Sequence, residues 1–304
     1  MTQSGQAVTA RSPAARPALH LTAREGWIND PLGLTYHRGL YHLFFQYVPG
    51  QNFWGPECQW GHAVSEDLLT WTERDIVLAP GDGDDGCWSG SLVVDDAGQA
   101  TVFYTSIQLD DLNIGRIRTA QPDDEGWNTW RKGPVVSGVN PPDNAAIFRD
   151  PHVSGDGTGW RMLIGSDRND GTATALAYTS ANLIEWTYDR ELASRSSTKR
   201  HPLWTGTVWE CPQLIPFGDR HALLFSVWEP WIPYYEAYAI GRWVAGTFRI
   251  ENLGPPQLRR FLLRRRDLRR RGWPARNDLL AARRRRPPRP VGRRQQHPAR
   301  IAAR

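Results

Sequence analysis

The sequence predicts an all-β fold built from repeated blades. Two observations carry this: short strand-length runs divided by turn residues, and a tryptophan period near 57 residues. From Leu21 to about Ile250, apolar or alternating runs are separated by Gly, Asp, Asn and Pro. They include Leu40–Tyr47, Ser91–Val94, Ala100–Ser106, Trp160–Ile164, Thr174–Tyr178 and His221–Val227. None sustains a helical period, and each has the length and spacing of a strand. Trp71, Trp130, Trp186 and Trp243 follow one another at 59, 56 and 57 residues. The frame around the first, Ser65-Glu-Asp-Leu-Leu-Thr-Trp71, returns as Ser180-Ala-Asn-Leu-Ile-Glu-Trp186. That period suits four-stranded propeller blades with generous loops. Four periods end near residue 250, and a fifth would need about 250–305. A β-sandwich with coincidental tryptophan spacing is the alternative that the period leaves open.

Charge divides the chain. Residues 257–304 hold 18 Arg, no Lys and 2 Asp, a net of +16, so the overall +5 hides a body of −11 in residues 1–256. Residues 1–20, rich in Ala, Pro, Ser and Thr, read as a disordered leader without a signal-peptide apolar run. No stretch approaches the roughly 18 apolar residues that span a bilayer. A cytoplasmic protein is the expectation, with export by an unseen route left open. Three cysteines are too few for a disulfide framework. No His/Cys spacing suggests a metal site, and no Gly-rich phosphate loop is present, so no metal or cofactor is expected.

Three acidic motifs fall on the repeat. They are Trp27-Ile-Asn-Asp30-Pro-Leu-Gly33, Phe148-Arg-Asp150-Pro151 and Trp209-Glu210-Cys-Pro212. Asp30 to Asp150 is 120 residues and Asp150 to Glu210 is 60, about two repeats and one. The intervening slot holds Cys87-Trp-Ser-Gly-Ser91. Equivalent positions in successive blades converge on a propeller's axis, so the three carboxyls are expected to meet. Asp30 reads as part of a polar turn that keeps it ionised. Apolar flanks and the other acids should raise Glu210, and Arg149 should favour the charged form of Asp150. Neighbouring strand residues face opposite ways, so Arg149 and Asp150 can share a site only at a strand end or bulge. Taken singly, each acid has an ordinary reading as a turn former, a surface ion pair or a solvated strand end. His62 reads as a packing or hydrogen-bonded histidine.

With LFFQYVPG, WGHAVSEDLLTW and WSGS, these motifs resemble glycoside hydrolase family 32, the invertases, levanases and inulinases, in the family's order over residues 21 to about 250. The resemblance implies a five-bladed β-propeller and cleavage of β-fructosidic bonds in sucrose or fructans with retention. It implies Asp30 as nucleophile, Glu210 as general acid/base and Asp150 as transition-state stabiliser. Trp27, Asn29, Gln46, Trp54, Trp88, Ser89 and Arg149 match positions that bind the terminal fructosyl unit. Leu32 departs from the family's more usual Asn. A related arabinose- or xylose-directed propeller and a non-catalytic sugar-binding remnant are the competing readings. The propeller catalytic domain is expected over 21–256, as a monomer binding neither nucleic acid nor membrane. The Arg-rich stretch 257–304 reads as aberrant and disordered, with nucleic-acid or membrane binding the competing reading. A displaced reading frame explains Arg without Lys: freely chosen codons for Phe261–Pro274, read from two bases upstream, spell GSYYAAATFADADG, similar to a fifth-blade strand. The fifth blade is therefore expected incomplete, and the family's usual C-terminal β-sandwich missing.

Overall fold

The computed structural model describes residues 21–255, apart from 156, 230 and 231. The leader 1–20 and the stretch 257–304 lie outside the described residues. Among the described residues there are sixteen strands and no helix, hence none long and apolar enough to cross a membrane. They form four antiparallel blades in chain order. Blade one holds β1 (Trp27–His37), β2 (Leu40–Val48), β3 (Gln59–Ser65) and β4 (Thr72–Leu78). Blade two holds β5 (Gly86–Val94), β6 (Ala100–Gln108), β7 (Asp111–Pro122) and β8 (Trp130–Val135). Blade three holds β9 (Phe148–Gly155), β10 (Trp160–Arg168), β11 (Thr172–Ser180) and β12 (Thr187–Ser196). Blade four holds β13 (Val208–Phe217), β14 (Arg220–Glu229), β15 (Ile232–Val244) and β16 (Thr247–Gly254). Two parallel pairings, Ile114 with Phe148 and the isolated bridge of Ser137 with Glu185, stitch blade two to blade three.

The core lies between blades, in three wedges. Leu32, Phe44 and Trp60 of blade one meet Val102 and Tyr104 of blade two. Phe103 and Ile117 meet Met162, Leu176 and Tyr178 of blade three. Leu163, Ala175 and Ala177 meet Trp209, Leu223 and Phe225 of blade four. A middle strand must therefore be apolar on both faces. In β6, Val102 and Tyr104 turn to one neighbour and Phe103 to the other, the period-two alternation of a strand. All three are fully buried, and each large apolar side chain so placed contributes roughly 1.5–3 kcal/mol. Continuous apolar runs in the sequence mark these doubly covered strands.

The tryptophan period has a structural meaning. Trp71 and Trp186 immediately precede the outermost strands β4 and β12, and Trp130 opens β8. Trp243 is offset, near the end of β15 beside the hairpin into β16. Each expected strand lies within an observed one. The inner strands β1, β5, β9 and β13 are successive neighbours around the axis.

Candidate active site

Each inner strand carries an extra residue at nearly the same level, and β1 carries a second between Leu32 and Thr35. In β1, Asn29 pairs with Gln46 and Pro31 with Phe45, leaving Asp30 as the bulge. In β5, Trp88 pairs with Thr105 and Gly90 with Tyr104, leaving Ser89. In β9, Arg149 opposes Gly165 and His152 opposes Leu163, so three steps face two around Asp150 and Pro151. In β13 the same occurs between Glu210 and Gln213, around Cys211 and Pro212. Asp150 and Cys211 take left-handed backbone angles, φ 64° and 48°. A bulge breaks strict alternation, which is how Arg149 and Asp150 both reach the axis. Asp30, expected in a polar turn, instead sits inside a strand; its Asn-Asp-Pro chemistry interrupts the ladder rather than reversing the chain. Opposite Arg149, a Cβ on Gly165 would stand 2.2 Å from the Trp209 carbonyl oxygen. Only glycine allows blades three and four to approach so closely there.

The bulges bring the three acids together. Ser89 Oγ donates to Asp30 Oδ2 at 2.6 Å, and Cys211 Sγ stands 3.9 Å from the same oxygen. The Cys211 N–H donates to Asp150 Oδ2 at 3.1 Å. The buried Thr105 hydroxyl accepts the Asp150 N–H at 2.8 Å and donates to the Ser89 carbonyl at 3.0 Å. Arg149 does not act chiefly on its sequence neighbour: its Nη2 and Nε donate to Glu210 Oε1 at 3.0 and 3.2 Å. Arg149 is 4 % exposed, and its guanidinium carbon lies 4.5 Å from the Trp228 ring centroid and 5.9 Å from that of Trp88.

Burial raises two of the acids. Burial pushes Glu210 up to about 7; Arg149 opposes the rise, while Asp150 and Asp30 add to it. The direction matches the expectation from its flanks. Burial also pushes Asp150 up to about 6, with Arg149 opposing and Asp30 reinforcing. Arg149 was expected to favour the charged form of Asp150, and it does act that way, but burial outweighs it. Burial, and then the three neighbouring acids, raise the Cys211 thiol well above its ordinary value. The site thus holds two carboxyls raised toward neutrality, a setting suited to proton transfer, beside a third.

The remaining candidates are placed around this centre. Ser89, Trp88 and Arg149 are buried and in direct contact with it. Trp88 is fixed by a 2.6 Å bond from Nε1 to the Pro56 carbonyl, and its ring meets Trp54 edge-on at 5.6 Å. Trp54 is 39 % exposed and stands at the rim. Asn29 is exposed next to Asp30, and Gln46 is buried opposite it in register. Trp27 packs, half-buried, against Val48, Cys58, Trp88 and Ile107. Thr105, Cys211 and Trp228 were not singled out from sequence. A polar residue within the apolar run ATVFYTSI was the available sign for Thr105. His62 accords with its packing reading: it is buried, and its Nε2 lies 3.0 Å from His42 Nδ1. Among the described residues no group of His, Cys, Asp or Glu has metal-site geometry.

Known proteins share this arrangement of blades. The profile described as Glycosyl hydrolases family 32 N-terminal domain matches residues 20–259. A sucrose-6-phosphate hydrolase from Escherichia coli is 37 % identical over 217 residues, covering 69 % of this chain and 43 % of the relative. The GH32 β-fructofuranosidase structure from Bombyx mori superposes with a TM-score of 0.68 at 28 % identity, over 80 % of this chain and 53 % of that one. Fructan 1-exohydrolase IIa from Cichorium intybus gives 0.67 at 27 % identity, over 80 % and 47 %. The chain spans about half the length of these relatives. A profile match running from the first described strand to the last leaves one assignment: the chain belongs to glycosyl hydrolases family 32.

Proposed function

We propose that this site cleaves terminal β-fructosidic bonds of sucrose or fructans in two displacements. The observation that carries the reading is the meeting of Asp30, Asp150 and Glu210 from three inner strands, with Glu210 pushed up to about 7. Glu210 protonates the leaving oxygen as Asp30 attacks the anomeric carbon, and then takes a proton from the water that releases fructose. Ser89, donating to Asp30 Oδ2, holds that carboxylate in place and leaves its other oxygen to attack. Asp150 holds fructosyl hydroxyls while positive charge develops on the ring. Trp27, Asn29, Gln46, Trp54, Trp88, Ser89 and Arg149 enclose the fructosyl unit. No step calls for a cofactor.

The test compares leaving groups. Glu210→Ala lowers turnover of sucrose by about 10²–10⁴-fold, and far less for an aryl fructoside whose leaving group needs no proton. The aryl substrate then accumulates a fructosyl ester, detectable by mass spectrometry on the peptide containing Asp30, and Asp30→Asn abolishes it. Equal losses on both substrates, or an ester elsewhere, would remove these roles.

A further inference from the structure

The acids lie within four residues of the N-terminal ends of their strands. The first residues of β15 and the segment leading into β13 therefore lie beside the mouth. On blade four this rim is aromatic. Tyr234 and Tyr235 are 45 % and 37 % exposed, and Tyr234 meets the Trp204 ring edge-on at 4.8 Å. The Tyr235 hydroxyl donates to the Trp204 carbonyl, and the Tyr234 hydroxyl to Glu229 Oε2 at 2.9 Å. Arg200 lies 5.2 Å over Trp204. Tyr234 is itself a bulge: Val227 pairs with Tyr235 and Trp228 with Pro233, one step against two.

This cluster is joined to the acids by a chain of contacts. Glu210 holds Arg149, Arg149 lies against Trp228, and Trp228 pairs with Val208 and Pro233. Strand spacing of about 4.8 Å and a rise of about 3.3 Å per residue put the Tyr234 bulge about 10 Å across the sheet and about 5 Å along the strands from Glu210. That is beyond the first leaving sugar and within reach of the next ones. Sugars offer a C–H face to aromatic rings and hydroxyls to carboxylate or guanidinium groups. Here the rings are held by their hydroxyls, so little ordering cost accompanies binding.

We propose that Trp204, Tyr234 and Tyr235 form a platform for the second and third sugars on the leaving-group side of a linear fructan. The proposal rests on the fructosidase reading and names its substrate class: chains longer than a disaccharide.

The experiment is isothermal titration of the full chain carrying Asp30→Asn, with sucrose and with a linear fructo-oligosaccharide of several units. Tyr234→Ala should weaken oligosaccharide binding about three- to tenfold and leave sucrose binding unchanged. Tyr234→Phe, which keeps the ring, should retain oligosaccharide affinity. Trp204→Phe, a smaller ring, provides a second variant with an intermediate loss. Equal losses for both ligands, no loss in Tyr234→Ala, or an oligosaccharide bound no more tightly than sucrose by the unaltered rim would overturn it. Binding is read without turnover, so failure to release fructose from sucrose refutes the fructosidase reading separately.

Discussion

Removing the charge at Arg149 tests how the proton donor is tuned. The guanidinium reaches Glu210 through two bonds of 3.0 and 3.2 Å and is nearly inaccessible to water. It favours the ionised carboxylate, so it holds Glu210 below the value that burial alone would give. Arg149→Met therefore keeps Glu210 protonated to higher pH. The alkaline limb of kcat/KM reports this acid in the free enzyme. From about 7 it should move upward by about 1–3 pH units, the usual effect of an opposite charge at such range. Loss of the charged bonds should also lower kcat/KM at the optimum about 10–100-fold. Arg149→Lys keeps the charge and should leave the limb near its original position while losing rate through geometry. The assay is initial-rate fructose release from sucrose across the neutral range. A limb that stays put or moves down in Arg149→Met would refute the argument.

Two stability predictions concern groups away from the axis. Asp84, with a fully buried side chain, accepts bonds from Arg118, Tyr104 and Ser106 and pairs with Lys132 at 2.8 Å; Asp84→Ala strands two cations and should cost about 3–5 kcal/mol in urea unfolding. His42 and His62 are pushed down to about 4 and about 3, chiefly by burial, with Arg74 contributing to both and His37 beside His42. Both stay neutral in the fold while the unfolded chain takes up protons below about pH 6.5. Stability from this pair is present at neutral pH and falls as pH drops toward 4, by up to about 1.4 kcal/mol per pH unit for each histidine. Melting temperatures measured from neutral to mildly acid pH should fall less steeply in His62→Gln than in the unaltered protein, and parallel slopes would contradict this.

The blade order and the meeting of the acids were readable because both depend on period. Doubly covered strands such as β6 and β11 appear as apolar runs, and equal spacing carries Asp30, Asp150 and Glu210 to one axis. Bulges were less visible, because an extra residue alters pairing without altering composition; at Asp30 the same Asn-Asp-Pro that signals a turn is a bulge within β1. Only at Arg149–Asp150 did the need for two adjacent residues at one site point to a bulge. Partnerships between blades could not be read from neighbouring residues. Arg149 adjoins Asp150 in sequence and bonds Glu210, 61 residues away. Trp228 and the Asp84 network have no local signature, since their partners are set by how strands stack.

The four bulges also separate the chemistry from the framework. A regular strand turns alternate residues inward, so each blade would offer one side chain at a given height. With the extra residue, β5 delivers Trp88 and Ser89, β9 delivers Arg149 and Asp150, and β13 delivers Glu210 and Cys211 to the same centre. Beyond each bulge the strand regains its phase, so wedge residues such as Val153 and Leu214 keep their facing. Residues at the bulge can change identity without moving the apolar alternation. Deleting one of them would reverse the facing of everything on one side of it and exchange core for channel. The strand framework around the site is tolerant of substitution at the bulges and intolerant of a change in length.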